Sequence, residues 1–379
     1  MQLRPGILAS LSLPLILATI AQAQSTPQQN AAPVQSAVPD TSHSLTVDRD
    51  PAPSIDPDGV VAGQAAQTVG AGVGQVSKDE SGRYTLEAEA YEVQLHVSVL
   101  DSTGRPARNL QAEAFRIFED GVPQTITAFH HDDPAVSIGL LIDSSASMYD
   151  KREAVGKAAL DLVRLSNPKD EEFLVDFSSK AYIDQDFTSS VDKLQQGLRY
   201  VDAKGGTAAY DAVMASANYL SKHGKNSKQV LVLITDGEDN ASRTSMVDMI
   251  HRVQGLEGPV VYCIGLLFGE DTDKAESRHA KAILKDVADQ TGGAAFFPSS
   301  LKDVDKIAAI VAEDIRNQYT LGYRSTNPPS NGGYRAVHVD AVGDENQKLN
   351  VRARAGYRPN APATPVASKE ATPPVTAKQ

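Results

Sequence analysis

Hydrophobic and polar residues alternate on either side of a long central segment. From Val93 to Val99 every second residue is apolar, which predicts a strand that ends at the turn sequence DSTGRP. Phe115 and Ile117 predict a second strand, EDG predicts a hairpin turn, and Ile126–Phe129 predicts the continuation of its return strand.

Strand-like patterns return near the other end of the chain, in YTLGYRS, YRAVHVD and LNVRARAGY. Neither group has enough strands to be stable alone. We therefore expect the β segment at 83–133 to pair with the β segment at 318–358 in one small antiparallel β module.

Between these segments, residues 134–317 alternate apolar runs with helical patterns. The runs AVSIGLLI, EFLVDF, QVLVLIT, PVVYCIGLLF and AAFFP predict strands, and AYIDQDF predicts an edge strand. Apolar residues at helical spacing precede or follow them, and Asp150 with Glu153 predicts a capping box for the first helix. The pattern predicts an α/β fold, a doubly wound and mostly parallel sheet with helices on both faces.

The outer parts of the chain have a different composition. Residues 1–23 combine Arg4, an apolar run and the small-x-small sequence Ala21–Ala23, which predicts a secretory signal peptide. Residues 24–82 and 359–379 are rich in Pro, Ala, Gln and Ser and predict a disordered linker and a disordered tail. We expect an exported, periplasmic, envelope-associated or extracellular protein without a transmembrane segment in the mature chain.

The net charge and the cysteine content make nucleic-acid binding and thiol chemistry unfavourable interpretations of this chain. The formal net charge is −12, and loss of Arg4 with the signal peptide would make it −12 − 1 = −13. Such a chain is disfavoured as a nucleic-acid binder, since phosphate recognition requires a basic surface. Cys263 is the only cysteine and lies in an apolar run, so we expect a buried, unreactive thiol.

Oxygen-bearing side chains follow the predicted strands at the positions where a parallel sheet places ligands. Asp143, Ser145 and Ser147 come directly after AVSIGLLI, and Asp236 comes directly after QVLVLIT. Thr207 follows two glycines and opens a predicted helix. Ligands of such sheets bind outside the carboxyl ends of the strands, so these side chains are candidate ligands of a hard cation.

The DxSxS sequence after the first strand, the threonine in a Gly-rich loop and the later TDG resemble the von Willebrand factor A domain. The flanking strands are similar to a secreted bacterial group of such proteins. The resemblance implies a metal-ion-dependent adhesion site with Ser145, Ser147 and Thr207 as hydroxyl ligands and Asp143 and Asp236 as the carboxylates. It implies a divalent cation that bridges to an acidic residue of a protein ligand. Mg²⁺ is preferred for this cation over Mn²⁺ or Ca²⁺.

Three functions remain open at this point. The first is metal-dependent protein binding or adhesion, and the second is a structural envelope scaffold in which the site serves folding alone. The third, a metal-dependent hydrolase, requires a positioned base, and nothing in the sequence marks one. We therefore expect a protein that is not an enzyme.

Overall fold

The architecture was obtained as a computed structural model. It describes residues 46–47, 75–78, 84–87, 92–199, 204–255, 258–268, 274–343 and 349–359. The predicted signal peptide at 1–23, most of the predicted linker at 24–82 and nearly all of the predicted tail at 359–379 lie outside these residues.

Strands and helices alternate through the middle of the chain, as the hydrophobic pattern predicts. The strands are β1 (Thr46–Val47), β2 (Gln75–Lys78), β3 (Tyr84–Glu87), β4 (Glu92–Leu100), β5 (Phe115–Glu119), β6 (Val122–Gln124), β7 (Ile126–His130), β8 (Val136–Asp143), β9 (Glu171–Phe177), β10 (Ala181–Thr188), β11 (Lys228–Thr235), β12 (Val260–Gly265), β13 (Ala295–Phe296), β14 (Tyr319–Arg324), β15 (Arg335–Ala341), β16 (Asn350–Arg352) and β17 (Gly356–Tyr357). The α-helices are α1 (Arg152–Leu165), α2 (Val191–Gly197), α3 (Ala209–His223), α4 (Met246–Gly255), α5 (Lys274–Thr291) and α6 (Val304–Arg316).

The central sheet has the order β1-β10-β9-β8-β11-β12-β13 within the described residues. Strands β9, β8, β11, β12 and β13 are parallel, whereas β10 returns antiparallel to β9. Helices α1, α2 and α6 cover one face, and α3, α4 and α5 cover the other. Strands β8, β9, β11 and β12 are buried along their whole length because both faces are covered. The predicted α/β fold class is confirmed.

The flanking segments form a second core. Strand β4 pairs with β14 and β16, and β5 pairs with β15, so segments far apart in the chain share each sheet. The two sheets, β16-β4-β14-β7 and β17-β15-β5-β6, bury a common set of apolar side chains that includes Leu95, Ile117 and Leu321. The predicted antiparallel β module is therefore present.

Two local predictions were wrong. The return strand after the EDG turn does not continue in one sheet: β6 pairs with β5, whereas β7 joins β14 in the other sheet. The predicted capping box is also absent, because the first helix has Lys151 rather than Asp150 at its N-cap and no side-chain cap bond. A 3-10 turn at Ala146–Met148 leads directly into the helix. The Lys151 N–H donates to the Met148 carbonyl of this turn, so this backbone bond takes the place of a side-chain cap.

Buried acids occupy the start of β9. Glu172 is 2% exposed, and one of its carboxyl oxygens has no hydrogen-bond partner among the described residues. Burial raises the pKa of Glu172 to about 8, and the nearby charges of Asp170 and Glu171 add to this shift. The folded protein therefore holds this carboxyl in its neutral form at neutral pH.

Glu172→Gln is expected to have a higher free energy of unfolding than wild type, and this difference is expected to grow as the pH rises. Between pH 4.5 and about 8 the folded state keeps a proton that the unfolded chain has released, so wild-type stability falls with rising pH in this window. At roughly 1.4 kcal/mol per pKa unit, the gain of the variant from pH 4.5 to pH 7 is on the order of 3 kcal/mol. Denaturant unfolding from pH 4.5 to 8 measures it, with the exposed Glu153→Gln as the control. A pH-independent difference between Glu172→Gln and wild type would contradict the assignment.

No helix within the described residues is both long and apolar enough to cross a membrane.

Cys263 on β12 is buried and unpaired, and burial raises the pKa of its thiol to about 12. The prediction of an unreactive thiol is therefore consistent with the structure.

Candidate functional site

The candidate site lies at the carboxyl ends of β8 and β11, which are neighbours in the sheet. Asp143 is the last residue of β8, and Asp236 follows the last residue of β11. Parallel pairing in register brings these two ends together. The sequence folds this way because each apolar run stops where it leaves the cover of the helices and a polar turn begins.

A continuous chain of hydrogen bonds joins four of the predicted residues. The Ser145 and Ser147 hydroxyl oxygens are 3.1 Å apart. The Ser147 hydroxyl donates to Asp236 Oδ1 at 2.8 Å, and the Ser145 backbone N–H donates to Asp143 Oδ1 at 2.8 Å. The structure therefore brings Asp143, Ser145, Ser147 and Asp236 to one place.

Thr207 lies on a loop that is bonded to the two loops carrying the other four residues. Its carbonyl accepts from the Asn240 N–H at 2.9 Å, and its own N–H donates to Asn240 Oδ1 at 2.9 Å, which ties it to the loop that begins at Asp236. Two residues earlier, the Gly205 carbonyl accepts from the Ala146 N–H at 3.4 Å, which ties the same loop to the DxSxS turn. All five predicted residues therefore lie on three loops that are bonded to one another.

The two glycines before Thr207 have distinct roles. Gly205 has a φ of +86°, a left-handed conformation that favours glycine. A side chain at Gly206 would come within 2.7 Å of Asn240 Oδ1, the atom that holds the Thr207 amide. The expected close path of the backbone at this point is therefore present.

The two carboxylates differ in their surroundings. Burial raises the pKa of the Asp143 carboxyl above its usual value, and the charge of Asp236 adds to this, while hydrogen bonds from Thr235 and Ser145 oppose it. Thr235 donates its hydroxyl to Asp143 Oδ2 at 2.5 Å. Asp236 instead accepts from Ser147 and from Lys151, whose Nζ lies 2.5 Å from Oδ2.

Solvent reaches the site from the side of the DxSxS turn. Asp143 and Ser145 are buried, whereas Ser147 and Tyr149 are exposed. The Tyr149 ring is 59% exposed and carries the Arg152 guanidinium 4.8 Å from its centroid. An aromatic and basic rim therefore borders the oxygen cluster.

The donor set fits a hard divalent cation. It consists of three hydroxyls and two carboxylates, so the carboxylates alone would balance the charge of one such ion. Among the described residues, no group of three or more His, Cys, Asp or Glu side chains is placed to hold a metal. A softer transition-metal centre built on His and Cys therefore has no counterpart in the described part of the chain.

Three residues that the sequence did not single out complete the site. Thr235 orients Asp143, Asn240 holds the backbone of Thr207, and Lys151 pairs with Asp236. Thr235 is the T of the TDG sequence and Asn240 is the N of TDGEDN, so the sequence contained a signal for each of these two residues. Lys151 had no signal beyond its position after the DxSxS turn.

The comparisons with known proteins agree with this description of the middle of the chain. A sequence model of the von Willebrand factor type A domain matches residues 138–238, a segment that contains all five predicted site residues. No curated protein sequence matches the chain.

Solved structures with similar folds include a von Willebrand factor type A protein from Catenulispora acidiphila, at 13% identity, TM-score 0.42, and coverage of 67% of this chain and 75% of that chain. Proximal thread matrix protein 1 from the mussel byssus, with a zinc-occupied MIDAS motif, is 20% identical at TM-score 0.41, with 53% and 50% covered. An aerotolerance-related membrane protein from Bacteroides fragilis is 18% identical at TM-score 0.39, with 48% and 98% covered.

The matched segment runs from β8 to Glu238 and includes the DxSxS turn, Thr207 and Asp236. The parallel sheet order, the helices on both faces and the family match agree with one another. Residues 138–238 therefore match the von Willebrand factor type A domain, within a parallel sheet that has helices on both faces.

Proposed function

We propose that this protein is an exported module that binds other proteins in a divalent-metal-dependent manner. The observation that carries the proposal is the continuous chain of oxygens from Asp143 through Ser145 and Ser147 to Asp236, with Thr207 on a loop bonded to the DxSxS turn. Export rests on the signal-peptide pattern of residues 1–23.

The cation-binding step is supported by the chemistry of the five residues. Ser145, Ser147 and Thr207 offer neutral oxygens, and Asp143 and Asp236 offer one negative charge each. Mg²⁺ suits such an arrangement of hard oxygen ligands better than Ca²⁺, which generally takes six to eight oxygens. A cation held here would supply an electrophilic coordination position for the carboxylate of a partner.

The rim around the site supports an acidic partner. Tyr149 offers an exposed ring, and Arg152 adds a positive charge that is placed against that ring. An acidic segment that approaches Ser147 would meet this charge and the aromatic surface next to it. The acidic protein ligand is thus proposed on the charge and exposure of named neighbours.

A binding role is preferred over catalysis because, among the described contacts, no histidine accepts from Ser145 or Ser147. Among the described contacts of Ser145, the hydroxyl meets Ser147 and Asp143, and no histidine is involved. A nucleophilic serine requires an adjacent general base.

Calorimetric titration and capture test the proposal together. The purified protein is expected to bind Mg²⁺ at one saturable site, and Ser147→Ala is expected to weaken this at least about 10-fold, since even outer-shell partners of metals contribute that much. Immobilised protein is expected to retain specific envelope proteins in Mg²⁺ and to release them in chelator.

Two other outcomes would replace the proposed function. Magnesium binding without any chelator-sensitive capture would support the structural scaffold. Turnover of phosphate or ester probes that depends on Ser147 and Asp236 would support a hydrolase instead.

A further inference from the structure

One basic residue lies directly on the candidate metal site. The Lys151 ammonium is 2.5 Å from Asp236 Oδ2, while the other oxygen of the same carboxylate accepts from Ser147. The Asp236 side chain is 1% exposed, and that of Lys151 is 20% exposed. Asp236 is thus a buried carboxylate whose charge is balanced by an ammonium that itself borders solvent.

The backbone holds Lys151 in this place. Lys151 is the N-cap of α1, and its N–H donates to the carbonyl of Met148 in the 3-10 turn that carries Ser147. Its own carbonyl accepts from the Val155 N–H and so begins the helix. The Cα of Lys151 is therefore fixed relative to the DxSxS turn, and only its side chain can move away from Asp236.

The neighbouring arginine does not take this role. Arg152 places its guanidinium over the Tyr149 ring. Of these two adjacent basic residues, Lys151 is thus the one that pairs with Asp236. Lysine also suits the task, because its compact charge sits on a flexible four-carbon stem that can carry it into water.

We propose that Lys151 is a resident counter-ion that competes with the divalent cation for Asp236 and thereby sets the metal concentration at which the site fills. The proposal rests on the proposed function and adds a regulatory residue to it. A dication at the carboxylates and an ammonium on Asp236 Oδ2 repel each other at short range, so metal binding requires the Lys151 side chain to leave.

The same ion pair has a second consequence. A buried carboxylate without a positive partner is costly, and Lys151 supplies that partner without any metal. The type A domain is therefore expected to keep its site loops assembled in chelator, and the stability of the chelated protein should depend on Lys151.

The test compares Lys151→Met, Lys151→Arg and a control, Lys157→Met, in the full chain. Lys157 lies on the same helix and pairs with Asp161 and Asp305, away from the site. Mg²⁺ affinity is measured by calorimetry, and thermal unfolding is measured in EDTA. Removal of one nearby positive charge is expected to tighten Mg²⁺ binding about 10-fold.

The chelated protein provides the independent readout. In EDTA, Lys151→Met is expected to unfold about 3 °C or more below wild type, because Asp236 loses its partner. Lys151→Arg keeps the charge and is expected to stay close to wild type in both measurements. Lys157→Met is expected to leave Mg²⁺ affinity unchanged.

The outcomes separate this proposal from the proposed function. If wild type binds Mg²⁺ and Lys151→Met binds it equally or more weakly, the competition is disproved while the metal-dependent module stands. If only Lys151→Met binds Mg²⁺, the competition is supported and metal dependence of the wild-type protein fails. If neither binds, both proposals fail.

Discussion

Asp143→Ala is expected to abolish measurable Mg²⁺ binding, a loss of about 100-fold or more, while the α/β domain remains folded. Asp143 is one of only two carboxylates among the five candidate ligands, so its removal takes away half of the charge that would balance a dication. It also frees the Thr235 hydroxyl and the Ser145 N–H, which Asp143 accepts from in the present arrangement. Calorimetric titration at constant pH measures the loss.

The fold is expected to survive because burial already makes the Asp143 charge unfavourable. Desolvation raises the pKa of this carboxyl, so deletion removes a cost together with two hydrogen bonds. Asp143→Asn, which retains an acceptor for Thr235, should separate loss of charge from loss of hydrogen bonding. Asp161, a partly exposed ion-pair residue on α1, supplies the control Asp161→Ala, which is expected to bind Mg²⁺ as wild type does. Wild-type affinity in Asp143→Ala would remove Asp143 from the site.

Arg335→Met is expected to destabilise the protein by about 3–5 kcal/mol, because it leaves a buried carboxylate without its positive partner. Arg335 and Glu119 are both 2% exposed or less, and the guanidinium also donates to the carbonyls of Asn327 and Pro328. Glu119 additionally accepts from the hydroxyls of Tyr323 and Tyr357. Denaturant unfolding followed by circular dichroism measures the change.

Two further variants test whether the loss of stability comes from the Arg335–Glu119 pair. One is a matched surface control, and the other is a double variant. Arg116→Met removes an exposed arginine from β5 of the same module and is expected to change stability by less than about 0.5 kcal/mol. Glu119→Gln combined with Arg335→Met should be less destabilised than the sum of the single variants, since no unpaired charge then remains. Additive losses would show that the two side chains act independently.

The contacts between the central α/β domain and the β module explain why the flanking segments are part of one fold. Asp314 on α6 accepts from Tyr262 on β12 at 2.6 Å and from Ser98 on β4 at 3.2 Å. Arg352 on β16 donates to the other oxygen of Asp314 at 2.7 Å. One buried carboxylate thus bonds residues of both cores, although the Arg352 Nε has no hydrogen-bond partner among the described residues.

Most of the fold could be predicted from the sequence because its signals are local. The apolar runs of β8, β9, β11 and β12 are long, and each is followed by polar turn residues. Asp143, Ser145, Ser147 and Asp236 could be placed at one edge of the sheet for the same reason, since each follows a predicted parallel strand. Their role as metal ligands remains a prediction.

The capping-box error was local, because a 3-10 turn leads into the first helix. The other errors and omissions involve residues whose environment is set by distant segments. The split of the return strand depends on β14, which lies nearly 200 residues later and draws β7 into the other sheet. Glu119 and Arg335 are of residue types that usually face solvent, but both lie at inward-facing positions of their strands and are buried.

The sequence by itself determined the alternation of strands and helices, the polar turn after each strand of the site, and the five candidate ligands, because periodicity and turn chemistry act over a few residues. The tertiary structure alone decided that Lys151 pairs with Asp236, that Asp314 joins the two cores and that Glu119 meets Arg335. Long side chains reach partners that only the packing of distant segments brings near, and no local pattern encodes those distances.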